Sequence, residues 1–386
     1  MVRIVTLGES STPSRSLDAV IVVGGAALTC FAPARRRQKE GCRGLKFATG
    51  LAIEGGARED RVLRGDSDHT GGSKHMETEL RRPLFQLEEQ GYKGRIVSTR
   101  RLPDLQEGIE GQRGQGMLDE ELYQEYLAEF EFHPPDSLPE AKSLIVVAVP
   151  HPQTRITFAW NGEAMPLVVP PTYLHWRETD KRVENLLAEA LAPAGYRVAL
   201  AQLPKKLLAV RSGLASYGRN NISYIPGMGS FHRLVAFYSD LPCPEDKWQQ
   251  PRMLENCEDC TACLRRCPTG AITSDRFLIQ AERCLTFHNE KPSDVPFASW
   301  IDPSWHNCLV GCLRCQRVCP ENRDFWGWIE EGEQFSEEET AQVLEGFPLD
   351  RLSSATVEKL ERVDLIELLD ILPRNLSVLL SGTKEN

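Results

Sequence analysis

The stretch that decides the reading is CEDCTACLRRCP, residues 257–268, in which Cys257, Cys260, Cys263 and Cys267 are spaced x2, x2 and x3 and are followed by Pro268. In a bacterial two-cluster ferredoxin, three closely spaced thiolates wrap one iron–sulfur cubane and the fourth reaches a second cluster. Pro268 with Thr269-Gly270-Ala271-Ile272 turns the chain away from these cysteines. A structural zinc site ordinarily uses two separated ligand pairs, so the quadruple run reads as a [4Fe-4S] site.

Because Cys267 needs a second cluster, a partner half must follow. Cys312-x2-Cys315-x3-Cys319-Pro320 supplies it, with Cys284 or Cys308 as the remaining ligand. Ferredoxin-type crossover gives Cys257, Cys260, Cys263 and Cys319 to one cluster, and Cys267, Cys312, Cys315 and one further cysteine to the other. The module thus holds nine cysteines for eight places, and the x3 gap from Cys308 to Cys312 is not the compact x2 spacing, so spacing leaves Cys284 and Cys308 open. Cys243, and Cys30 and Cys42 near the start of the chain, read as plain thiols.

Nine of the 12 cysteines lie in this one module, which marks a cofactor site in a reducing compartment and not a dispersed disulfide framework. The apolar run from Ala19 to Ala32 contains Gly24 and Gly25, is too short to span a bilayer and has no twin-arginine pair ahead of it. The expectation is a cytoplasmic protein with no membrane span. At 386 residues the chain can form two domains with separate cores. Its net charge of −10 opposes a broad nucleic-acid face, since phosphate neutralisation needs clustered Lys and Arg, but it permits a local basic cleft.

Residues 1–75 hold 12 basic and 8 acidic residues, including the run Arg35-Arg36-Arg37-Gln38-Lys39, so the remainder of the chain carries −14. This Gly- and Arg-rich segment reads as a disordered leader, or as sequence upstream of a start at Met76. Residues 76–245 read as an α/β domain, 246–330 as a double [4Fe-4S] ferredoxin-type domain, and 331–386 as C-terminal helices forming a small cap. Helices are expected over Leu80–Gln90, Asp119–Phe130, Lys181–Leu191 and Lys205–Arg211, with strands around Ile96 and over Tyr196–Leu200. Ser143–Val149 is a continuous apolar run bounded by prolines, as in a strand buried on both faces of a mixed sheet covered by helices. After the cysteines, Glu337–Leu344 and Ala355–Leu369 are helical by spacing, stopped by Gly346 and Pro373.

The chain resembles the epoxyqueuosine reductase family, cobalamin-dependent iron–sulfur reductases related to corrinoid reductive dehalogenases. The resemblance rests on CEDCTACLRRCPTGAI at 257–272, the isolated Arg283-Cys284, GCLRCQRVCPEN at 311–322, SGLASYGRNNISYIPGMGS at 212–230 and PRNLSVLL at 373–380. It implies two [4Fe-4S] clusters, with Cys284 as the eighth ligand, and a cobalamin held by the α/β domain. It also implies that Gly213, Tyr217, Gly218, Arg219, Asn220, Gly229 and Ser230 line that cobalamin. Glycines permit close backbone approach, and Arg219 and Asn220 can donate hydrogen bonds. Implied partners are an electron donor such as ferredoxin or flavodoxin, and a small-molecule or modified-nucleoside substrate, with a tRNA the less favoured choice.

Two departures stand out. The family's Gly-Leu-Gly-Trp-x-Gly-Lys reads Gly213-Leu214-Ala215-Ser216-Tyr217-Gly218-Arg219 here, and the stretch matching its catalytic aspartate, Ala199–Val210, has no acidic residue. The expected proton donor is therefore missing from its place. His175, His232, His288 and His306 each stand alone in sequence and read as surface or core residues. His151, after the apolar strand, is better placed for a site. Tyr173, Trp160 and Trp176 read as packing residues.

Overall fold

The computed structural model describes residues 82–243 and 246–381, so the expectation for residues 1–75 lies outside the described residues. Helix α1 (82–89) is stopped by Gly91, whose φ of +75° glycine adopts without strain. Strand β1 (Lys93–Ser98) leads to α2 (Leu102–Gly114), a helix that periodicity had not marked. The helix expected from Asp119 is a single turn, α3 (Glu120–Leu122), continued by a π-helical turn over Tyr123–Leu127. Asp119 caps it: the carboxylate accepts the Leu122 N–H at 2.9 Å.

Strand β2 (Ser143–Pro150) is followed by a hairpin, β3 (Gln153–Trp160) and β4 (Glu163–Val169), then by α4 (Trp176–Leu191). Next come β5 (Val198–Leu200), α5 (Lys205–Arg211), the short pair β6 (Ser216–Tyr217) and β7 (Ser223–Tyr224), and β8 (His232–Ser239). The cysteine region carries three short helices, α6 (Ala262–Arg266), α7 (Leu285–Asn289) and α8 (Arg314–Arg317). Strand β9 (Ile329–Phe335) and helices α9 (Glu337–Leu344), α10 (Ser354–Arg362) and α11 (Leu372–Ser381) complete the chain. The helix expected over Ala355–Leu369 breaks instead at Asp364, in the left-handed region at φ +54°, and resumes as a 3-10 turn over Leu365–Leu368.

The main sheet has the order β1-β2-β8-β5, and every neighbouring pair is antiparallel. This corrects the mixed sheet expected from sequence. A continuous apolar run reports burial on both faces, not strand direction, and β2 shows why. Leu144, Val146 and Ala148 face a core with α2, α5 and apolar residues of the cysteine region, among them Ile272, Ile279 and Phe287. Ile145, Val147 and Val149 face the opposite core, with Leu87 of α1 and Val183, Leu187 and Leu191 of α4. Alternation is present but apolar on both sides.

A parallel pairing does occur, in the second sheet, β4-β3-β9, where β9 runs alongside β3. Helices α9, α10 and α11 cover it through a core that includes Phe158, Phe335, Val343, Leu360 and Leu376. Ser336 caps α9 reciprocally with Glu339, which explains the acidic first turn of that helix. Among the described residues no helix is long and apolar enough to cross a membrane.

Candidate iron–sulfur site

The cysteines sit where short helices begin and end, so that their sulfurs point out of turns and not into regular structure. Cys257 closes a 3-10 turn, Cys263 lies on α6, and Cys267 ends that helix in extended conformation. Cys284 precedes α7, Cys315 lies on α8, and Cys319 precedes a 3-10 turn over Pro320–Phe325. Helices α6 and α8 lie against each other, which brings the two sequence halves together.

Two quartets result. Burial pushes the Cys263 thiol up to about 11, and the neighbouring thiols of Cys257, Cys319 and Cys260 raise it further. Burial likewise pushes Cys284 up to about 12, with Cys312 and Cys267 adding to the effect. Cys315 lies beside Cys312, Cys284 and Cys267, and also senses Cys263 from the other quartet. Thiols crowded into a buried space stay protonated unless a cation replaces their protons, which is what iron does on binding. Among the described residues no three Cys, His, Asp or Glu side chains converge on a single-ion site.

Cys267, Cys284, Cys312 and Cys315 line one cavity of about 50 Å³, closed by Pro170, Pro171, Tyr173, Ile272, Ile279 and Leu285. Cys308 is not on its wall. It is 1% exposed and its thiol donates to Asn307 Oδ1 at 3.1 Å, while Asn307 Nδ2 donates to Cys312 Sγ at 3.3 Å. A second, polar cavity of about 250 Å³ lies beside the first quartet, lined by residues that include Ser216, Arg252, Asn256 and Glu321.

The structure brings Tyr217, Arg219, Asn220, Gly229 and Ser230, five of the seven residues assigned to a cobalamin, against the cysteine region or the segment that leads into it. Hairpin β6–β7 aligns with the segment entering the first loop: Tyr217 N–H donates to Arg252 O at 3.0 Å, and Leu254 N–H to Tyr217 O at 2.8 Å. At its tip the Arg219 guanidinium donates to three backbone carbonyls, Cys257 O, Glu258 O at 3.1 Å and Cys260 O at 3.1 Å. Asn220 Nδ2 donates to Tyr224 Oη at 3.0 Å, and burial raises the Cys319 thiol while the nearby Tyr224 phenol opposes the shift. Ser230 Oγ donates to Gln316 Oε1 at 2.8 Å, and Ser230 N–H to Asn322 Oδ1 at 2.8 Å. Gln316 and Asn322 flank Cys315 and Cys319 in sequence.

The glycines are equally occupied. A Cβ on Gly218 would lie 2.5 Å from Asn220 Oδ1, and one on Gly229 would lie 2.9 Å from Glu321 O. Gly213, at φ +74°, ends α5, where its N–H reaches Val210 O at 3.1 Å. Of the seven, Asn220 alone lines the cavity of the second quartet. As packed here these residues do not form a cradle for a macrocycle; Arg219, Gly229 and Ser230 hold the loops that carry the cysteines.

Several residues that sequence gave only a packing role, or no role, stand close to the site. Tyr173 lines the second quartet's cavity and donates its hydroxyl to buried Glu290. Burial pushes both groups well above their ordinary pKa values, and Glu125 raises Glu290 further. The tyrosine sits on the backbone of Gly311, where a Cβ would come within 2.6 Å of the phenol oxygen. In hindsight the glycine immediately before Cys312 was the one readable trace of this contact. Lys206 is fully buried, its Nζ donating to Asn221 O at 3.0 Å, and burial lowers it to about 7. His151 and His232 are buried and pushed down to about 4 by burial, with Arg233 also lowering His151.

Two cysteine quartets on crossed half-motifs define a class, the two-cluster iron–sulfur proteins, and a family described as a 4Fe-4S double cluster binding domain matches residues 256–322. Beyond that module the chain is similar to epoxyqueuosine reductases. That of Staphylococcus aureus (strain NCTC 8325 / PS 47) is 28% identical over 203 residues, 48% of this chain and 50% of the relative. That of Escherichia coli (strain K12) is 31% identical over 146 residues, 37% of each chain. The chain thus spans half or less of the length of these relatives. In fold it is similar to the epoxyqueuosine reductase of Streptococcus thermophilus, with a TM-score of 0.52 at 20% identity over 78% of this chain and 80% of that one. It is also similar to an epoxyqueuosine reductase solved with a tRNA-Tyr epoxyqueuosine-modified stem loop, with a TM-score of 0.56 at 20% identity over 81% and 82%.

Proposed function

We propose that this chain is a cytoplasmic iron–sulfur oxidoreductase of the epoxyqueuosine reductase type. Cys257, Cys260, Cys263 and Cys319 hold one [4Fe-4S] cluster, and Cys267, Cys284, Cys312 and Cys315 hold the other. The observation that carries this reading is the cavity walled by four cysteines drawn from both half-motifs, with Cys308 turned away from it. When bound, such clusters take up and release one electron each, at potentials set by burial and by hydrogen bonds to sulfur. The chain's own residues supply such a hydrogen bond from Asn307 to Cys312, and Tyr224 is a neighbour of Cys319. The polar cavity beside the first quartet supports electron entry on that side from a ferredoxin or flavodoxin, and exit past the second quartet.

The resemblance would make the acceptor a bound corrinoid and the substrate a modified nucleoside in tRNA. The residues assigned to a corrinoid do not fit it as they are packed, so no step is derived through one. That packing, and the lack of an acidic residue over Ala199–Val210, favour a second reading: an electron-transfer protein or reductive activator that serves a separate corrinoid enzyme. The net charge of −14 beyond residue 75 also speaks against a broad tRNA-binding face.

Metal and cofactor analysis of anaerobically purified protein tests this. About eight irons and eight sulfides per chain are expected. Iron without sulfide, or about one zinc per quartet, would overturn the cluster assignment. Stoichiometric corrinoid binding on titration would return the reaction to the chain itself; its absence, with full iron, would support the activator.

A further inference from the structure

We propose that Arg219 is a positioning residue that sets the reduction potential of the first cluster; this rests on the two-cluster reading above. Arg219 stands at the tip of the β6–β7 hairpin, outside the cysteine region, yet its guanidinium donates to the carbonyls of Cys257, Glu258 and Cys260. These three carbonyls belong to the loop that carries the first two ligands of that cluster. The hairpin itself is held rigidly, by the Gly218 N–H to Ile222 O bond at 2.8 Å, the Asn221 N–H to Gly218 O bond at 2.8 Å, and the strand-like contacts of Tyr217 with Arg252 and Leu254.

Two physical effects follow from the placement. The planar fork of a guanidinium binds several carbonyls at once in fixed directions, which a lysine cannot copy. It therefore fixes where the Cys257 and Cys260 sulfurs point. It also sets a positive charge behind the first cluster. Taking up one electron adds one negative charge to a cluster, and a fixed cation nearby stabilises the reduced form, so the potential rises. The carbonyl dipoles of this loop would otherwise present their negative ends at the same place, and Arg219 neutralises them. Three carbonyls on one guanidinium exceed what a hairpin tip needs merely to dock.

The test is a potentiometric titration of the reconstituted full chain, followed by electron paramagnetic resonance, for the natural protein, Arg219→Gln and Arg219→Lys. In Arg219→Gln with full iron, one cluster should titrate at a lower potential while the other keeps its value. Arg219→Lys should fall between the two, because it keeps the charge but not the clamp. Should Arg219→Gln fail to load, Arg219→Lys decides: a lowered potential of one cluster supports the proposal. Unchanged potentials in any fully loaded variant, or equal shifts of both clusters, would overturn it. Absence of iron and sulfide from the natural protein would instead sink the two-cluster reading, a distinct outcome.

Discussion

Cys284 and Cys308 differ by position alone, and their surroundings separate them. Cys284 opens on the cavity of the second quartet, whereas the Cys308 thiol is tied to Asn307. Cys284→Ser should therefore drop iron from about eight to about four per chain, and Cys308→Ser should leave it near eight. Iron and sulfide assays on the two variants check this, and the reverse pattern would exchange their roles. Two buried histidines make a separate prediction. His151 and His232 sit near 4, below the ordinary value of 6.5, chiefly through burial. The unfolded chain thus binds their protons first as pH falls. The stability they contribute is complete above pH 6.5 and is lost as pH drops toward 4, on the order of 3 kcal/mol each. Melting temperature should hold steady above neutrality and decline below pH 6.5. A His232→Asn variant, which gives up the bond to Ser223 at 3.1 Å, should be less stable at pH 7.5 but show a shallower decline.

At the level of elements, most of what periodicity could see was there to be found: α5 and α9 fall on their expected residues, and β2 extends its expected run by one. What escaped had physical reasons. β9 reads Ile-Glu-Glu-Gly-Glu-Gln-Phe, acidic through its middle, because one side of it faces solvent and its pairing comes from β3, far away in sequence. The glycine-rich stretch was legible as a place of close approach, but a glycine does not announce what approaches it. Here the visitor is protein: Asn322 and Glu321 press on Gly229, and Tyr224 on Gly218. Gly229→Ala combines an L side chain at φ +54° with this crowding, and should cost at least ~1–2 kcal/mol in chemical denaturation. A variant as stable as the parent would mean that the loop after Cys319 shifts without penalty. Ser336→Ala, which removes one side of the reciprocal cap on α9, should cost ~1 kcal/mol in the same assay.

Across the whole molecule, the main sheet and α4 are locked by a buried ion pair, Arg233 to Asp180 with Nε–Oδ1 at 2.6 Å and Nη2–Oδ2 at 2.7 Å. Asp180→Ala strands a guanidinium in the interior and should cost ~3–5 kcal/mol, whereas replacing both partners with apolar residues should cost far less. Denaturant midpoints of the single and double variants test the asymmetry. The parallel β3–β9 pairing has a wider consequence. The chain leaves this sheet after β4, visits every cysteine of the described residues, and returns as β9 on the far side of β3. The cysteine region is thus enclosed in a loop whose two ends both pair with the one strand β3. A gene cut after Cys319 to harvest a miniature ferredoxin would bare one flank of β3, and an open strand edge is a template for filament growth.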